Sequence, residues 1–446
     1  MVHQYKSNGY NIVIDSNSGS IHWVDDVTYD VISRYEKGDY EGLDPSAIAE
    51  VLPEIRELEK QGKLFSPDPF RDMAAEFKER HSVLKAMCLH VAHDCNMDCG
   101  YCFAGKGEYH GKRSLMSLET GKRAIDFLVE NSHGRRNLEV DFFGGEPLLN
   151  WQMVKDLVAY GRTFKDKNFR FTLTTNGLLL DDEVIDFTSR EMSNVVISLD
   201  GRKKVNDAMR RTKSGGGTYD LVIRQFKRLA ENRGGKDYYM RGTFTAGNTD
   251  FAEDILHMAD LGFDQLSMEP VVGNEDAPFT LKEKHLPRIF RQYEYLAEEM
   301  IRRRRKGKGF TFYHFMIDLQ GGPCISKRVS GCGVGKEYIA VTPEGEIYPC
   351  HQFVGEEAFR LGDLDRGIFR KDVLAEFDRC TVYGRRECSD CFAKLYCSGG
   401  CAANGYHATG DVTGLYDMGC ELHKKRVECA IMMKIDESIA KGETHG

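Results

Sequence analysis

The sequence predicts an α/β protein in three parts. A partial (β/α)6 TIM-like barrel spans 85–309, a winged-helix-like module precedes it at 1–80, and a cysteine-rich domain follows at 310–446. Three observations predict this layout. Between residues 85 and 270 short apolar strands alternate with amphipathic helices, which implies a parallel sheet with crossover helices. Ten of the 14 cysteines fall after residue 320. The N-terminal stretch has strand and helix spacing of its own, and a chain of 446 residues has room for two or three such units.

In the module, "YNIVIDSNSGSIHWV" reads as two short strands around a Gly-Ser turn. "DDVTYDVISRYEK" has helical spacing, with Val27, Val31 and Ile32 on one face. "DPSAIAEVLPEIRELEKQGKLF" adds one or two short helices interrupted near Pro53. "SPDPFRDMAAEFKERHS" is expected to be a linker with a charged helix. Residues 1–85 hold 10 Lys and Arg against 16 Asp and Glu, too acidic for a DNA-binding surface. An exposed strand edge can instead add a peptide strand.

The barrel strands are expected at "AMCLHVA", "LEVDFFG", "FRFTLTT", "VVISLD", "YMRGTFT" and "DQLSMEP". Ligands of parallel α/β folds sit beyond the carboxyl ends of the strands. "LPRIFRQYEYLAEEMIRRRRKGKG" reads as a long helix leading out, with Arg302–Lys306 as its solvated end.

Composition narrows the class of function. The chain is 41% hydrophobic and 29% charged, has no run of about eighteen apolar residues, and has no apolar core of a signal peptide at its start. A net charge of −8 gives no general pull toward nucleic acid or anionic membrane. Fourteen cysteines without an export signal argue for metal binding in a reducing cytoplasm rather than for disulfides.

Directly after the first strand, "HDCNMDCGYCFAG" places Cys95, Cys99 and Cys102 in C-x3-C-x2-C spacing. Thiolates favour iron–sulfur clusters or zinc. Three ligands on one loop leave one iron of a [4Fe–4S] cluster open to a chelating cofactor. A zinc knuckle completed by His93 or His110 is the competing reading. "FFGGEPLLN", "TLTTNGLLL" and "VVISLDG" follow at successive strand ends, and "AMRRTKSGGGTYD" carries two arginines suited to a carboxylate.

On these motifs the barrel resembles the radical S-adenosylmethionine (SAM) superfamily. The resemblance implies that the three cysteines hold a [4Fe–4S] cluster, with Tyr101 in the aromatic position of the motif. It also implies that Gly144, Gly145, Glu146 and Pro147 form the segment facing the methionyl amino group. Thr174, Asn176, Ser198 and Asp200 would lie near the ribose or the methionyl carboxylate, with Arg210 or Arg211 gripping that carboxylate. No side-chain acid–base pair is expected to be catalytic, since cluster and cofactor carry the chemistry.

The tail contains "CSDCFAKLYCSGGC" and a C-x12-G-x4-C segment whose "TPEGEIYP" reads as a β-hairpin. With Cys420 this resembles the seven-cysteine SPASM pattern, which implies two auxiliary [4Fe–4S] clusters and three in all. Cys332, Cys350 and Cys401 would serve the first, with Cys324 as fourth ligand or else an open iron there. Cys388, Cys391, Cys397 and Cys420 would serve the second. Zinc ribbons are the rival reading of the tail. Cys88, Cys380 and Cys429 are left over, Cys88 as buried packing.

The N-terminal module resembles the RiPP recognition element, which grips the leader of a ribosomally made precursor peptide. The whole chain is similar to maturases of SCIFF peptides, which implies a thioether synthase of the sactipeptide and ranthipeptide kind. It would link a cysteine sulfur to a carbon of another residue, threonine foremost, in a Cys-rich peptide. A flavodoxin or ferredoxin would supply electrons, and neither nucleic acid nor membrane is an expected partner. A sulfatase-maturing (formylglycine-forming) enzyme and a carbon–carbon peptide cyclase share most of these motifs. A non-catalytic peptide-binding iron–sulfur protein would not need an open iron.

Overall fold

Strand β1 (Val2–Ser7) pairs antiparallel with β2 (Tyr10–Asp15), and β2 with β3 (Ser20–Val24). The computed structural model describes residues 1–72, 83–109, 111–273, 276–319 and 324–442. Helix α1 (Asp26–Arg34) starts where the Asp25 side chain accepts from Thr28 N. Helix α2 (Pro45–Lys60) starts under Asp44, with proline in its first turn. Val13, Val31, Ile32, Val51, Ile55 and Leu64 form the core between sheet and helices.

The module differs from the winged-helix expectation in three ways. It has a third strand, β1, because the polar alternation of "VHQYKS" hides a strand that buries Tyr5. Helix α2 runs through Pro53, because burying Val51 and Ile55 outweighs the one hydrogen bond a proline removes. Val27 is 43% exposed, so only Val31 and Ile32 of the expected face are buried. The described residues thus form a small sheet with two helices; the charged helix expected near 73–82 lies outside them.

The barrel follows the expected alternation. Strands β4 (Ala86–His93), β6 (Asn137–Gly144), β7 (Asn168–Thr175), β8 (Asn194–Ser198), β9 (Asp237–Phe244) and β10 (Gln265–Pro270) lie side by side in parallel. A short β5 (Ser114–Leu115) pairs with the end of β4. The crossovers carry α3 (Leu118–Glu130), α4 (Trp151–Gly161), α5 (Asp182–Glu191), α6 (Lys203–Met209), α7 (Tyr219–Asn232) and α8 (Phe251–Asp260). Along β6 and β7 every second residue, from Leu138 to Phe142 and from Phe169 to Thr175, is buried against these helices. The alternate residues, Asp141, Phe143, Thr172 and Thr174, face the lumen.

After α9 (Leu286–Arg305), β11 (Thr311–Phe312) adds to β10, and α10 (Ile325–Ser330) opens the tail. Strand β12 (Tyr338–Val341) then pairs in parallel with β4, Ala340 opposite Cys88. It turns back through β13 (Glu346–Tyr348), the expected hairpin, and the sheet continues into β14 (Gly362–Asp363) and β15 (Gly367–Ile368). Barrel and tail therefore share one 12-stranded sheet. Short helices α11 (Lys371–Glu376), α12 (Arg386–Ser389), α13 (Lys394–Cys397) and α14 (Ala402–Thr409) lead to α15 (Asp417–Ala440), which packs on α9 and β1.

The end of α9 is not simply solvated. Arg304 and Arg305 both reach the buried Asp436 of α15, and Arg303 reaches Asp260. The helix dipole favours basic residues there, and the packing of α15 gives two of them a carboxylate.

Candidate active site

The loop bearing Cys95, Cys99 and Cys102 leaves the carboxyl end of β4 and is held from two sides. On one side it pairs with the GGEP segment: Gly145 N donates to Ala92 O at 2.8 Å and Glu146 N to Asp94 O at 2.9 Å. A Cβ on Gly144 would stand 2.2 Å from Ala92 O, and one on Gly145 2.1 Å from Asp94 O. Two glycines are required because backbone meets backbone there. Gly144 also has φ +120°, open only to glycine. On the other side, Asp98 N and Gly100 N donate to the carbonyls of Arg211 and Met209 after α6.

Burial raises the thiols of Cys95, to about 12, and of Cys99. Cys102 adds to both shifts, so the three sulfurs are neighbours. Among the described residues, no three His, Cys, Asp or Glu groups converge closely enough for a single ion. The ring of His93 meets His90 at 3.1 Å and stacks on Tyr109. His110 lies outside the described residues.

Glu146 is fully buried and accepts from Thr175 Oγ1 (2.8 Å), Asn176 N (2.8 Å) and Leu148 N (3.1 Å). It clamps the end of β7 to the end of β6, and Pro147 starts the turn that follows. Asn176 spends its side chain on the cysteine loop, donating to Asn96 Oδ1 at 2.8 Å and to Cys95 Sγ at 3.6 Å. A hydrogen bond to a ligand sulfur tunes the metal it binds. Thr174 and Ser198 are half-buried at the lumen ends of β7 and β8, and it is Thr175 that binds Glu146.

Tyr101 reaches from the loop across the site. Its hydroxyl meets both oxygens of Asp200, at 2.9 and 2.7 Å, and receives Arg210 Nη1 at 3.1 Å. Thr243 N completes Asp200 at 3.0 Å. Burial pushes Asp200 up, against the fields of Arg210 and Tyr101. Arg210 is 8% exposed and its Nε is buried with no partner among the described residues, whereas Arg211 is exposed. An unpartnered guanidinium nitrogen beside the cysteine loop fits a cofactor carboxylate. With the glycine cradle and three thiols, the residues present fit the cluster and SAM.

The tail cysteines fall into two groups. Burial raises Cys350, and Cys401 and Cys332 raise it further. Burial likewise pushes Cys397 up to about 12, with Cys420, Cys388 and Cys391 adding to the shift. Cys324 is exposed at the start of α10. Cys88 is buried in β4, Cys429 in α15, and Cys380 donates to Val412 O at 3.3 Å. Next to Cys350, the ring of His351 packs on Phe143 (5.2 Å) and Phe103 (6.0 Å), so the first tail group borders the cysteine loop.

Sequence reading missed Tyr109, whose buried hydroxyl donates to Gly144 O at 3.1 Å, and the His90–His93 pair. Tyr109 lies in the same short segment as the cysteines, and its position there was the available signal. It also missed Arg241 and Glu269, whose period-two placement on β9 and β10 points them into the lumen.

Residues 89–262 match the radical SAM superfamily, and 332–392 match the SPASM iron–sulfur cluster-binding domain. A protein of Archaeoglobus fulgidus is 28% identical over 81% of this chain and 83% of its own. The radical SAM cyclopropyl synthase TigE of Paramaledivibacter caminithermalis is 22% identical over 76% and 72%. The structure of anSMEcpe with bound AdoMet superposes with a TM-score of 0.67 at 20% identity, covering 80% of this chain and 96% of that one. That of Streptococcus suis SuiB bound to its precursor peptide SuiA gives 0.54 at 17% identity, covering 94% and 98%. The chain is an enzyme that carries a radical SAM domain at 89–262 and a SPASM iron–sulfur cluster-binding domain at 332–392.

Proposed function

We propose that this enzyme closes thioether crosslinks in a ribosomally made, Cys-rich precursor peptide, joining a cysteine sulfur to a carbon of another residue, threonine foremost. The observation that carries this reading is the shared sheet. Pairing of β12 with β4 brings Cys350 and His351 beside Phe143 and Phe103, against the loop of Cys95, Cys99 and Cys102. A sulfur delivered from the tail side and a carbon attacked from the loop side can meet in one lumen. Neighbours solved with a peptide bound, SuiB with its precursor peptide SuiA and anSMEcpe with the Cp18Cys peptide, support a peptide as substrate.

Bound at the site, a cluster and SAM would supply radical chemistry for hydrogen abstraction, and the auxiliary clusters would supply an electron sink. The chain's own residues position and exclude. Asn176 and the glycine cradle fix the cysteine loop, Tyr101 holds Arg210 toward the carboxylate, and Phe103 and Phe143 keep water out. Cys332, Cys350 and Cys401, with Cys324 as fourth ligand, hold one auxiliary cluster; Cys388, Cys391, Cys397 and Cys420 hold the second. The leader would add a strand along β3, the edge of the N-terminal sheet, and a flavodoxin or ferredoxin would reduce the clusters in a cytoplasmic setting.

The test is anaerobic incubation of the reconstituted enzyme, SAM and dithionite with a Cys-rich, Thr-containing precursor peptide. The expected product has lost two hydrogens and has one thiol fewer to alkylate. Formylglycine, or the same mass loss with every thiol intact, would overturn the thioether reading. Iron-loaded protein that releases no 5′-deoxyadenosine would overturn radical chemistry altogether.

A further inference from the structure

Five side chains from four elements converge on one side of the lumen. Glu269 on β10 meets His314 Nε2 at 3.3 Å, and His314 also meets Ser267 at 3.4 Å. Arg426 and His423 arrive from α15. Burial pushes the Glu269 carboxyl up, but His314, Arg426, Arg241 and His423 together hold it below its ordinary value. Arg241 of β9 lies opposite Ser267 in the β9–β10 register, is exposed in the lumen and bears on Glu269 and His314. Burial holds His314 at about 3 and His423 at about 4, so both rings are neutral at pH 7. Two guanidinium groups then face one carboxylate, leaving one positive charge in excess.

The cluster also has an unspent donor. Arg426 is 7% exposed; its Nε binds the Tyr293 hydroxyl at 2.8 Å, while its Nη2 is buried with no partner among the described residues. Buried donors in native proteins are normally satisfied, so such an atom points to a group that joins it. The group that matches both the excess charge and the donor is an anion with paired oxygens. Arg241 lies opposite Ser198 in the β8–β9 register, two residues before Thr243, whose N reaches Asp200, so the anion would lie beside the cysteine-loop site.

We propose that Arg241 and Arg426, around Glu269, form a carboxylate-binding site in the barrel lumen that holds an acidic group of the peptide substrate next to the modified residue. The identity of the ligand as a peptide rests on the proposed function; the site's preference for a carboxylate does not. The carboxylate comes from an Asp or Glu side chain or from the peptide's C-terminus.

Saturation-transfer NMR on the reconstituted, SAM-bound enzyme tests this with three probes: N-acetyl-glutamate methylamide, its glutamine counterpart, and N-acetyl-alanine with a free carboxylate. The glutamate probe is expected to bind in preference to the glutamine one, and R241Q to weaken it about tenfold, with R241K keeping part of the affinity. N-acetyl-alanine binding in the same R241Q-sensitive way would assign the site to a C-terminus. Equal binding of the glutamate and glutamine probes would overturn the proposal, as would a preference untouched by R241Q. So would R241Q weakening SAM binding with the preference intact, since the site would then serve the cofactor. A carboxylate preference together with a Cys-rich peptide that loses no hydrogens would overturn the thioether reading alone.

Discussion

The Tyr101 hydroxyl lies 2.7 Å from one Asp200 oxygen and 2.9 Å from the other, with Arg210 Nη1 3.1 Å from the same hydroxyl. One residue between two cluster cysteines is thus tied to the ends of β8 and α6. Tyr101→Phe removes a buried bond to a carboxylate and is expected to cost about 2 kcal/mol of folding stability. Asp200→Asn leaves Arg210 without its buried counter-charge and is expected to cost more, about 3 kcal/mol. Urea unfolding of the iron-free proteins measures both, and equal losses would contradict the charge argument. SAM titration of the reconstituted variants is expected to show weaker binding in each, because both release Arg210.

Gly145→Ala puts a methyl 2.1 Å from Asp94 O, the residue before Cys95. The loop has to move, so the variant should lose the iron held there while the tail keeps its own. Iron analysis is expected to fall by about four per chain, as in a Cys95→Ala protein. Normal iron content in Gly145→Ala would show that the glycine is not needed for close approach.

Glu146 accepts three hydrogen bonds in a fully buried place. Glu146→Gln turns one accepting oxygen into a donor that faces donors. The expected loss is about 2–3 kcal/mol, against about 1–2 kcal/mol for Thr175→Val, which removes one donor to Glu146 and the acceptor of Gly177 N. Thermal unfolding of the two variants should rank them in that order.

The six barrel strands, the long α9, the tail hairpin and the cysteine spacing were legible because each is local: an apolar run, a helical period, a ligand set within a few residues. What was not legible depends on pairings far apart in the chain. Nothing near Tyr338 says that it will lie against Ala86, and nothing in "VHQYKS" says that Tyr5 will be buried and will donate to Glu428 O. The arginines closing α9 looked solvated because their partner, Asp436, is 131 residues from Arg305. At the candidate site, Glu146 was visible as a motif residue, but its partners Thr175 and Asn176 N only emerge once β6 and β7 are side by side.

Asp141 faces the lumen, and burial, with Glu139, raises its carboxyl to about 6, against a hydrogen bond from Thr172. Between the unfolded value of 3.8 and this folded value, the folded state holds a proton that the unfolded chain has lost. Asp141 therefore makes stability fall as pH rises through that window, with no further change above it. The loss is about 2 kcal/mol, less than the full shift implies because solvent reaches the lumen. Asp141→Asn removes the effect. Unfolding free energies at pH 4.5 and 7 are expected to show the wild type losing that much more than the variant over the interval; parallel curves would place Asp141 at an ordinary carboxylate value.

Asp436 joins three parts of the chain. It is 2% exposed and accepts from Arg304 (3.0 Å), Arg305 (2.5 Å) and the Tyr10 hydroxyl (3.2 Å), so β2, α9 and α15 meet at one carboxylate. Both arginines keep contact with solvent, which lowers the cost of losing their partner below that of a fully buried pair. Asp436→Asn is expected to destabilise by about 2 kcal/mol and to open the N-terminal sheet toward proteolysis at β1, where Tyr5 and His3 rely on α15 for partners. Arg302→Ala is the control. Arg302 pairs with Glu299 on its own helix, and such an exposed pair is worth at most about 0.5 kcal/mol. Limited proteolysis and urea unfolding of both variants separate the two roles. An Arg302→Ala protein as weakened as Asp436→Asn would mean that the basic run acts as a whole surface, and not through Asp436.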